Sequence, residues 1–155
     1  MNKILIFDLD DTLIDDSYKF EIGFCDCIKT VITAMEGRSP QIDEILQKAR
    51  DLDNEKLASW TDKDKYLPKR VGMSWIETYE HFSKLKNIPI KSHIRRLLWS
   101  QVMMIWDPPY IVMPGVIETL IELKKRGYPL HVLTIGHPII QSRKLKLTEL
   151  SKFFD

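Results

Sequence analysis

Two short apolar runs in the sequence are each followed at once by polar residues. Residues 4–7 (Ile-Leu-Ile-Phe) precede an acidic cluster, and residues 130–133 (Leu-His-Val-Leu) precede Thr134 and a turn-rich segment. Short continuous apolar runs predict buried strands of a parallel sheet. Because ligands bind at the carboxyl ends of the strands in open α/β sheets, the polar residues after these runs are the first candidates for a functional site.

Between the two runs the periodicity is helical. Apolar residues three or four positions apart predict one helix from Ser17 that closes at Gly37, and a second that begins at Ser39 and Pro40. Two further helices are predicted around residues 76–82 and 94–105. Residues 60–73 lack a sustained period and predict an exposed loop, whose Lys69 and Arg70 either face a phosphorylated ligand or simply keep the surface polar.

The α/β pattern returns after the prolines at 108 and 109. Residues 113–115 (Met-Pro-Gly) open a predicted helix that ends near Gly127, and a last helix is predicted around residues 139–150. The predicted fold class is therefore α/β, with a core formed by residues 1–15 and 108–155. Residues 16–107 form an inserted helical domain, and no internal repeat is evident.

Composition and charge favour a small-molecule ligand. Lys and Arg number 23 against 22 Asp and Glu, so electrostatics gives no reason to expect a nucleic acid or an anionic membrane as partner. No run approaches the roughly 18 apolar residues of a membrane-spanning helix, and no signal peptide is evident. Cys25 and Cys27 lie two apart in a predicted helix, where their side chains could not bridge each other, which suggests a reducing compartment; the expected location is the cytoplasm. The sequence does not indicate the oligomeric state.

The acidic cluster after the first run has two interpretations. Asp8 and Asp10 are close enough for one to act as a nucleophile and the other to transfer the proton of the same reacting group. Three crowded carboxylates, Asp11 included, also favour a hard divalent cation, most simply Mg²⁺. Alternatively, the segment is an acidic turn in which Thr12 bonds back to the main chain.

Several segments resemble the haloacid dehalogenase (HAD) superfamily. Residues 7–13 (Phe-Asp-Leu-Asp-Asp-Thr-Leu) are similar to its first motif, and residues 133–136 (Leu-Thr-Ile-Gly) are similar to its second. Residues 113–116, 141–145 and 153–155 also resemble family sequence at matching separations. The resemblance implies a Rossmannoid α/β core with a parallel sheet and an α-helical cap inserted after the first motif.

The resemblance also implies roles for individual residues. Asp8 would be the nucleophile that takes the phosphoryl group, Asp10 the acid/base, and Thr134 the hydroxyl that bonds a phosphoryl oxygen. Asp8, through its carboxylate, and Asp10, through its main-chain carbonyl, would bind Mg²⁺. Asp10 favours a phosphatase over a dehalogenase, since a halide leaves without a proton. The expected substrate is a small phosphorylated metabolite. A phosphomutase and a catalytically inactive binding module remain alternatives.

The third and fourth motifs of the superfamily, a lysine and an acidic loop, have no match in the chain up to Asp155. Lys144 and Lys146 are the nearest basic residues, but they fall in a segment that matches another part of the family pattern, and neither is assigned to the site. We therefore expect the native chain to continue past Asp155 and to supply a lysine and a further aspartate.

Overall fold

The computed structural model describes residues 3–62 and 64–155, which fold into two compact units. The core unit contains the chain up to Tyr18 together with Pro108–Asp155. The helical unit is Lys19–Asp107. No helix among the described residues is long and apolar enough to cross a membrane.

Two parallel strands form the centre of the core unit. Strand β1 (Leu5–Phe7) pairs with β4 (Leu130–Val132) in a register that aligns Phe7 with Val132. The predicted parallel pairing and the α/β class are thus confirmed. A second, antiparallel pair joins β2 (Ile14–Asp15) to β3 (Ile111–Val112). The sequence analysis missed this pair, because strands of two residues are too short to show a period.

Helices follow the strands of the core unit as expected. They are α5 (Val116–Lys125), α6 (Pro138–Leu147) and a 3-10 helix (Leu150–Phe153). Their apolar side chains pack against those of the strands and of the loop after β1, in a cluster whose buried members are Leu9, Leu13, Ile14, Leu120, Leu130, Leu150 and Phe153.

The predicted burial of β1 holds for one of its faces. Leu5 and Phe7 pack against the core cluster, whereas Ile4 and Ile6 are 57% and 63% exposed. Successive side chains of a strand point to opposite faces, and the helices of this unit pack on the face that carries Phe7. A continuous apolar run therefore does not by itself establish burial on both faces.

Four helices build the helical unit. They are α1 (Ser17–Ala34), which begins in the core unit, α2 (Ile42–Ser59), α3 (Pro68–Leu85) and α4 (Ser92–Met104). Helix α3 packs against both α2 and α4. The largest fully buried side chains of this unit come from all four helices and the turn that follows α1: Val31, Met35, Ile45, Trp75, Tyr79, Leu98 and Val102. The predicted number of helices is confirmed.

Two predicted boundaries in this unit are wrong. Helix α2 begins after Gln41, whose N–H donates to Glu44 Oε2 at 2.8 Å, and not at Ser39 and Pro40. Helix α3 begins at Pro68, so residues 68–73 are helical instead of part of a loop. Proline suits a first helical turn because its missing N–H would have no partner there, and the buried Val71 shows that packing extends the helix back to this point.

Lys69 and Arg70 both have partners within the helical unit. Lys69 Nζ lies 2.6 Å from Asp64 Oδ1, and Arg70 pairs with Asp53. These contacts account for both side chains without a phosphorylated ligand.

Truncating the largest buried aromatic side chain should test the packing of the helical unit. Trp75 is 2% exposed, and its ring centroid lies 5.4 Å from that of Phe24. We expect Trp75→Ala to lower the free energy of unfolding by about 3–5 kcal/mol in urea titrations. Trp99→Ala is the matched control, because Trp99 is 38% exposed, and it should cost clearly less. Equal losses in the two variants would contradict this packing.

Candidate active site

Asp8 follows the last residue of β1 and has an exposed side chain. The main-chain N–H of Leu9 donates to Asp8 Oδ1 at 2.8 Å, and the Leu9 side chain is fully buried. The buried leucine anchors the loop, and the single hydrogen bond orients the carboxylate without enclosing it. Asp8 is therefore accessible to a substrate, as a nucleophile must be.

Asp11 shapes the loop that follows. Its φ of 54° is left-handed, a conformation that aspartate tolerates better than most residues. Asp11 Oδ1 accepts the main-chain N–H groups of Asp16 at 3.1 Å and Ser17 at 2.8 Å, while Oδ2 accepts the Ser17 hydroxyl at 2.6 Å. These hydrogen bonds, first of all the one from the Ser17 side chain, lower the pKa of Asp11.

Asp11 is thus bound by the start of α1, as a helix-capping residue is. We expected a cation to bind all three acids of the cluster. Asp11 does not fit this expectation, because both of its carboxylate oxygens already accept hydrogen bonds from Asp16 and Ser17. The acidic-turn interpretation assigned hydrogen bonds with the main chain to Thr12. In the structure, Asp11 accepts such hydrogen bonds.

The end of β4 lies beside the end of β1. The N–H of Leu133 donates to the carbonyl of Phe7 at 2.9 Å, which continues the parallel pairing one residue past the strand. Thr134 follows directly. Its Oγ1 accepts a hydrogen bond from Gln141 Nε2 at 2.8 Å, and the same nitrogen donates to Asp10 Oδ2 at 2.8 Å. The structure therefore brings Thr134 and Asp10 together through the amide of Gln141.

A buried lysine completes this arrangement. Lys144 Nζ lies 2.8 Å from Asp10 Oδ1 and 2.7 Å from Asp16 Oδ2. The side chains of Lys144 and Asp16 are only 3% and 8% exposed, while that of Asp10 is 29% exposed. One positive charge is shared between two carboxylates, and the more accessible of the two is Asp10.

The ion pairs also set the charge of the lysine. Burial lowers the pKa of Lys144, but the hydrogen bonds to Asp10 and Asp16 and the charges of both carboxylates outweigh this effect and raise it above its ordinary value. Lys144 is thus a permanent cation at neutral pH.

Gln141 and Lys144 are the residues that the sequence analysis missed. The segment that contains them resembles the superfamily, but no role was assigned to it. Neither Lys144 nor Lys146 was assigned to the site. A usable signal was present: residues three apart on a helix share a face, and this helix begins just after the second polar strand end. Lys146, by contrast, is exposed.

The described residues form no enclosed metal site, so a Mg²⁺ ion would have to bind at the open strand end beside Asp8. Among the described residues, no group of three or more His, Cys, Asp or Glu side chains could hold a metal ion. Both carboxylate oxygens of Asp10 are bonded to Lys144 and Gln141, which leaves the Asp8 carboxylate and the Asp10 main-chain carbonyl as ligands. Mg²⁺ commonly takes one or two carboxylates and fills its other positions with water and phosphate oxygens, so this pair fits.

Removing the buried cation should destabilise the fold. Lys144→Met keeps the apolar stem but leaves Asp16 buried without its ammonium partner, so we expect a loss of about 3–5 kcal/mol in the free energy of unfolding. Lys146→Met, on the same helix but exposed, should change stability by at most about 0.5 kcal/mol. Urea titrations of both variants check this, and similar values for the two would contradict the importance of the ion pairs.

The pH dependence of this effect follows from the raised pKa of Lys144. A group whose folded-state pKa exceeds its ordinary value, here 10.5, stabilises the fold fully below that value and loses this effect as the pH rises through the folded-state pKa. The loss in Lys144→Met should therefore be equal at neutral and at mildly alkaline pH. A loss that vanishes at mildly alkaline pH would contradict this assignment.

Curated proteins similar to this chain include two archaeal phosphatases. The glyceraldehyde 3-phosphate phosphatase of Pyrococcus furiosus is 27% identical over 154 residues, which cover 99% of this chain and 57% of that protein. The protein of the same name from Pyrococcus abyssi is 24% identical over 156 residues, with 100% and 58% covered. The chain thus spans a little over half the length of these relatives.

Solved structures share the fold. A haloacid dehalogenase-like family hydrolase from Xanthomonas campestris superposes with a TM-score of 0.79 at 20% identity, over 99% of this chain and 59% of that one. A HAD-hydrolase from Bacillus subtilis bound to magnesium gives a TM-score of 0.58 at 15% identity, over 99% and 63%. The family of haloacid dehalogenase-like hydrolases matches residues 2–155. With both polar strand ends and nearly the whole sequence accounted for, the chain belongs to the haloacid dehalogenase-like hydrolase family.

Proposed function

We propose that this protein is a Mg²⁺-dependent phosphatase that hydrolyses a small phosphate monoester through an aspartyl-phosphate on Asp8. The observation that carries the proposal is the exposed carboxylate of Asp8 at the end of β1, on the strand edge where Asp10 and Thr134 are joined by Gln141. A nucleophile, a proton carrier and a hydroxyl donor thus follow two adjacent strand ends.

The proposed reaction has two steps, phosphoryl transfer to Asp8 and hydrolysis of the aspartyl-phosphate. In the first, an oxygen of Asp8 attacks phosphorus, the bond from phosphorus to the ester oxygen breaks, and Asp10 in its protonated form gives its proton to the departing alkoxide. In the second, water attacks the phosphorus of the aspartyl-phosphate, Asp10 takes the proton of that water, and Asp8 leaves as a carboxylate with release of phosphate. Asp10 is the more solvent-accessible of the two carboxylates on Lys144, which suits a residue that exchanges protons with substrate and water.

Thr134 would bind the phosphoryl group. Its oxygen already accepts the hydrogen bond from Gln141, so its own hydroxyl proton can be donated to a phosphoryl oxygen. A bound Mg²⁺ on the Asp8 carboxylate and the Asp10 carbonyl would offset the negative charge that Asp8 and the phosphate bring together.

The substrate class is proposed from the relatives. Both curated proteins are named glyceraldehyde 3-phosphate phosphatases, so a triose phosphate is the first compound to assay. The same names favour water over a sugar hydroxyl as the final acceptor, and therefore a phosphatase over a phosphomutase.

We also propose that the helical unit is a cap that excludes water from the site and selects the substrate. Its support is its place in the sequence: the chain leaves the core unit shortly after Asp8 and Asp10, forms a compact unit of its own, and returns before β3. Caps of this kind isolate reactive intermediates from solvent.

Replacing the nucleophile tests the proposal. With Mg²⁺ and an aryl phosphate or a triose phosphate, we expect Asp8→Asn in the full-length protein to lower kcat by roughly a thousandfold or more, because the covalent route is lost. Glu122→Gln is the control. Glu122 is an exposed acid in the C-terminal half of α5, the half that precedes β4 in the chain. Chelating the metal should stop turnover, and added Mg²⁺ should restore it.

Three results would contradict parts of this proposal. Hydrolysis by Asp8→Asn at the parent rate would show that Asp8 is not the nucleophile. Conversion of a hexose phosphate to an isomeric sugar phosphate, without release of free phosphate, would show that the protein is a phosphomutase and not a phosphatase. The absence of any Mg²⁺-dependent turnover in the parent at high protein concentration would favour a binding module.

A further inference from the structure

We propose that Gln141 is a positioning residue that fixes Asp10 and Thr134 relative to each other, and so determines how well the site handles a poor leaving group. This inference rests on the proposed phosphatase function. It gives a role to a buried amide that has no titratable proton and whose side-chain nitrogen donates to Asp10 and Thr134.

The hydrogen bonds of Gln141 define this role. Gln141 is 6% exposed, and its Nε2 lies 2.8 Å from both Asp10 Oδ2 and Thr134 Oγ1. A carboxamide nitrogen carries two hydrogens, so each bond uses one of them. Both N–H groups of this buried amide therefore donate to Asp10 and Thr134, the two residues that the proposed reaction needs side by side.

The loop after β4 is shaped to admit this amide. A Cβ atom built on Gly136 would lie 2.9 Å from Gln141 Cδ and 3.1 Å from its Nε2, so a side chain at position 136 would force the amide of Gln141 to shift. The main-chain N–H of Gln141 donates to the carbonyl of His137 at 3.1 Å in the first turn of α6. The first turn of α6 thus fixes the main chain of Gln141. Because Gly136 has no side chain, there is space beside it for the amide group of Gln141.

Loss of these hydrogen bonds would have two consequences. Asp10 would keep its bond to Lys144 through Oδ1 but could pivot about it, because Oδ2 would lose its hydrogen bond from Gln141. Thr134 would lose the donor that occupies its oxygen, so its hydroxyl could rotate away from the phosphoryl group. Proton delivery and phosphate binding would both suffer, although Asp8 would be unchanged.

A leaving-group comparison separates positioning from general damage. p-Nitrophenolate leaves without help from an acid, whereas the alkoxide of glycerol phosphate needs a proton in the transition state. In the full-length protein we expect Gln141→Met to lower kcat/KM about 10- to 100-fold for glycerol phosphate and only a few-fold for p-nitrophenyl phosphate. Ser142→Ala, at the exposed neighbouring position on α6, should leave both values unchanged.

A second variant and a second measurement keep the test independent of folding and turnover. Gln141→Asn retains the amide but is one methylene too short to reach both partners, so it should show the same selective loss. Calorimetric titration with inorganic phosphate should show binding a few-fold weaker in Gln141→Met, because the Thr134 hydroxyl would be less well oriented toward the anion. In Thr134→Val, the Gln141→Met change should no longer weaken phosphate binding.

Equal losses on the two phosphates, or unchanged phosphate affinity in a folded Gln141→Met, would overturn the inference. Either result is distinguishable from failure of the proposed function. If Asp8→Asn hydrolyses both phosphates at the parent rate, the nucleophile is misassigned, whereas the ratio between the two phosphates in Gln141→Met reports on Gln141 alone.

Discussion

One buried ammonium group holds the site edge of the core unit together. Lys144 joins Asp10, in the loop after β1, to Asp16, just before α1, and does so from α6. Asp16 and Lys144 are buried, so neither charge is solvated by bulk water and each depends on its partner. The same contacts that stabilise this loop also place the proposed acid/base. Stability and the proposed chemistry therefore depend on the same ion pairs in this part of the chain.

The parallel pairing of β1 with β4 makes this arrangement possible. Strands that run in one direction end at one edge, so the residues after Phe7 and after Val132 meet although more than a hundred positions separate them in sequence. The tight turn closed by Asp11 then directs the chain into α1, while Asp8 stays exposed and Asp10 turns toward α6. Three neighbouring aspartates thereby reach three environments, which is what separate roles for them require.

Much of this fold could be predicted because its signals are local. Continuous apolar runs identified β1 and β4, and helical periods identified the four helices of the insert. The start of α3 was missed, since Pro68 suggests a loop when the packing of Val71 is unknown. The motifs pointed to Asp8, Asp10 and Thr134, but the partners of Lys144 could not be read from the sequence. Long-range ion pairs leave no periodic trace, and a lysine on a helix is usually exposed.

The proposed function depends on one step above all, the transfer of phosphate to the exposed carboxylate of Asp8. This step can be tested by trapping the aspartyl-phosphate: the full-length protein is quenched during turnover of a phosphate monoester, reduced with borohydride and mapped by peptide mass spectrometry. We expect reduction to convert Asp8, and no other aspartate, to homoserine, and we expect omission of substrate to abolish the conversion. Turnover without modification of Asp8, or conversion at Asp10, would contradict it.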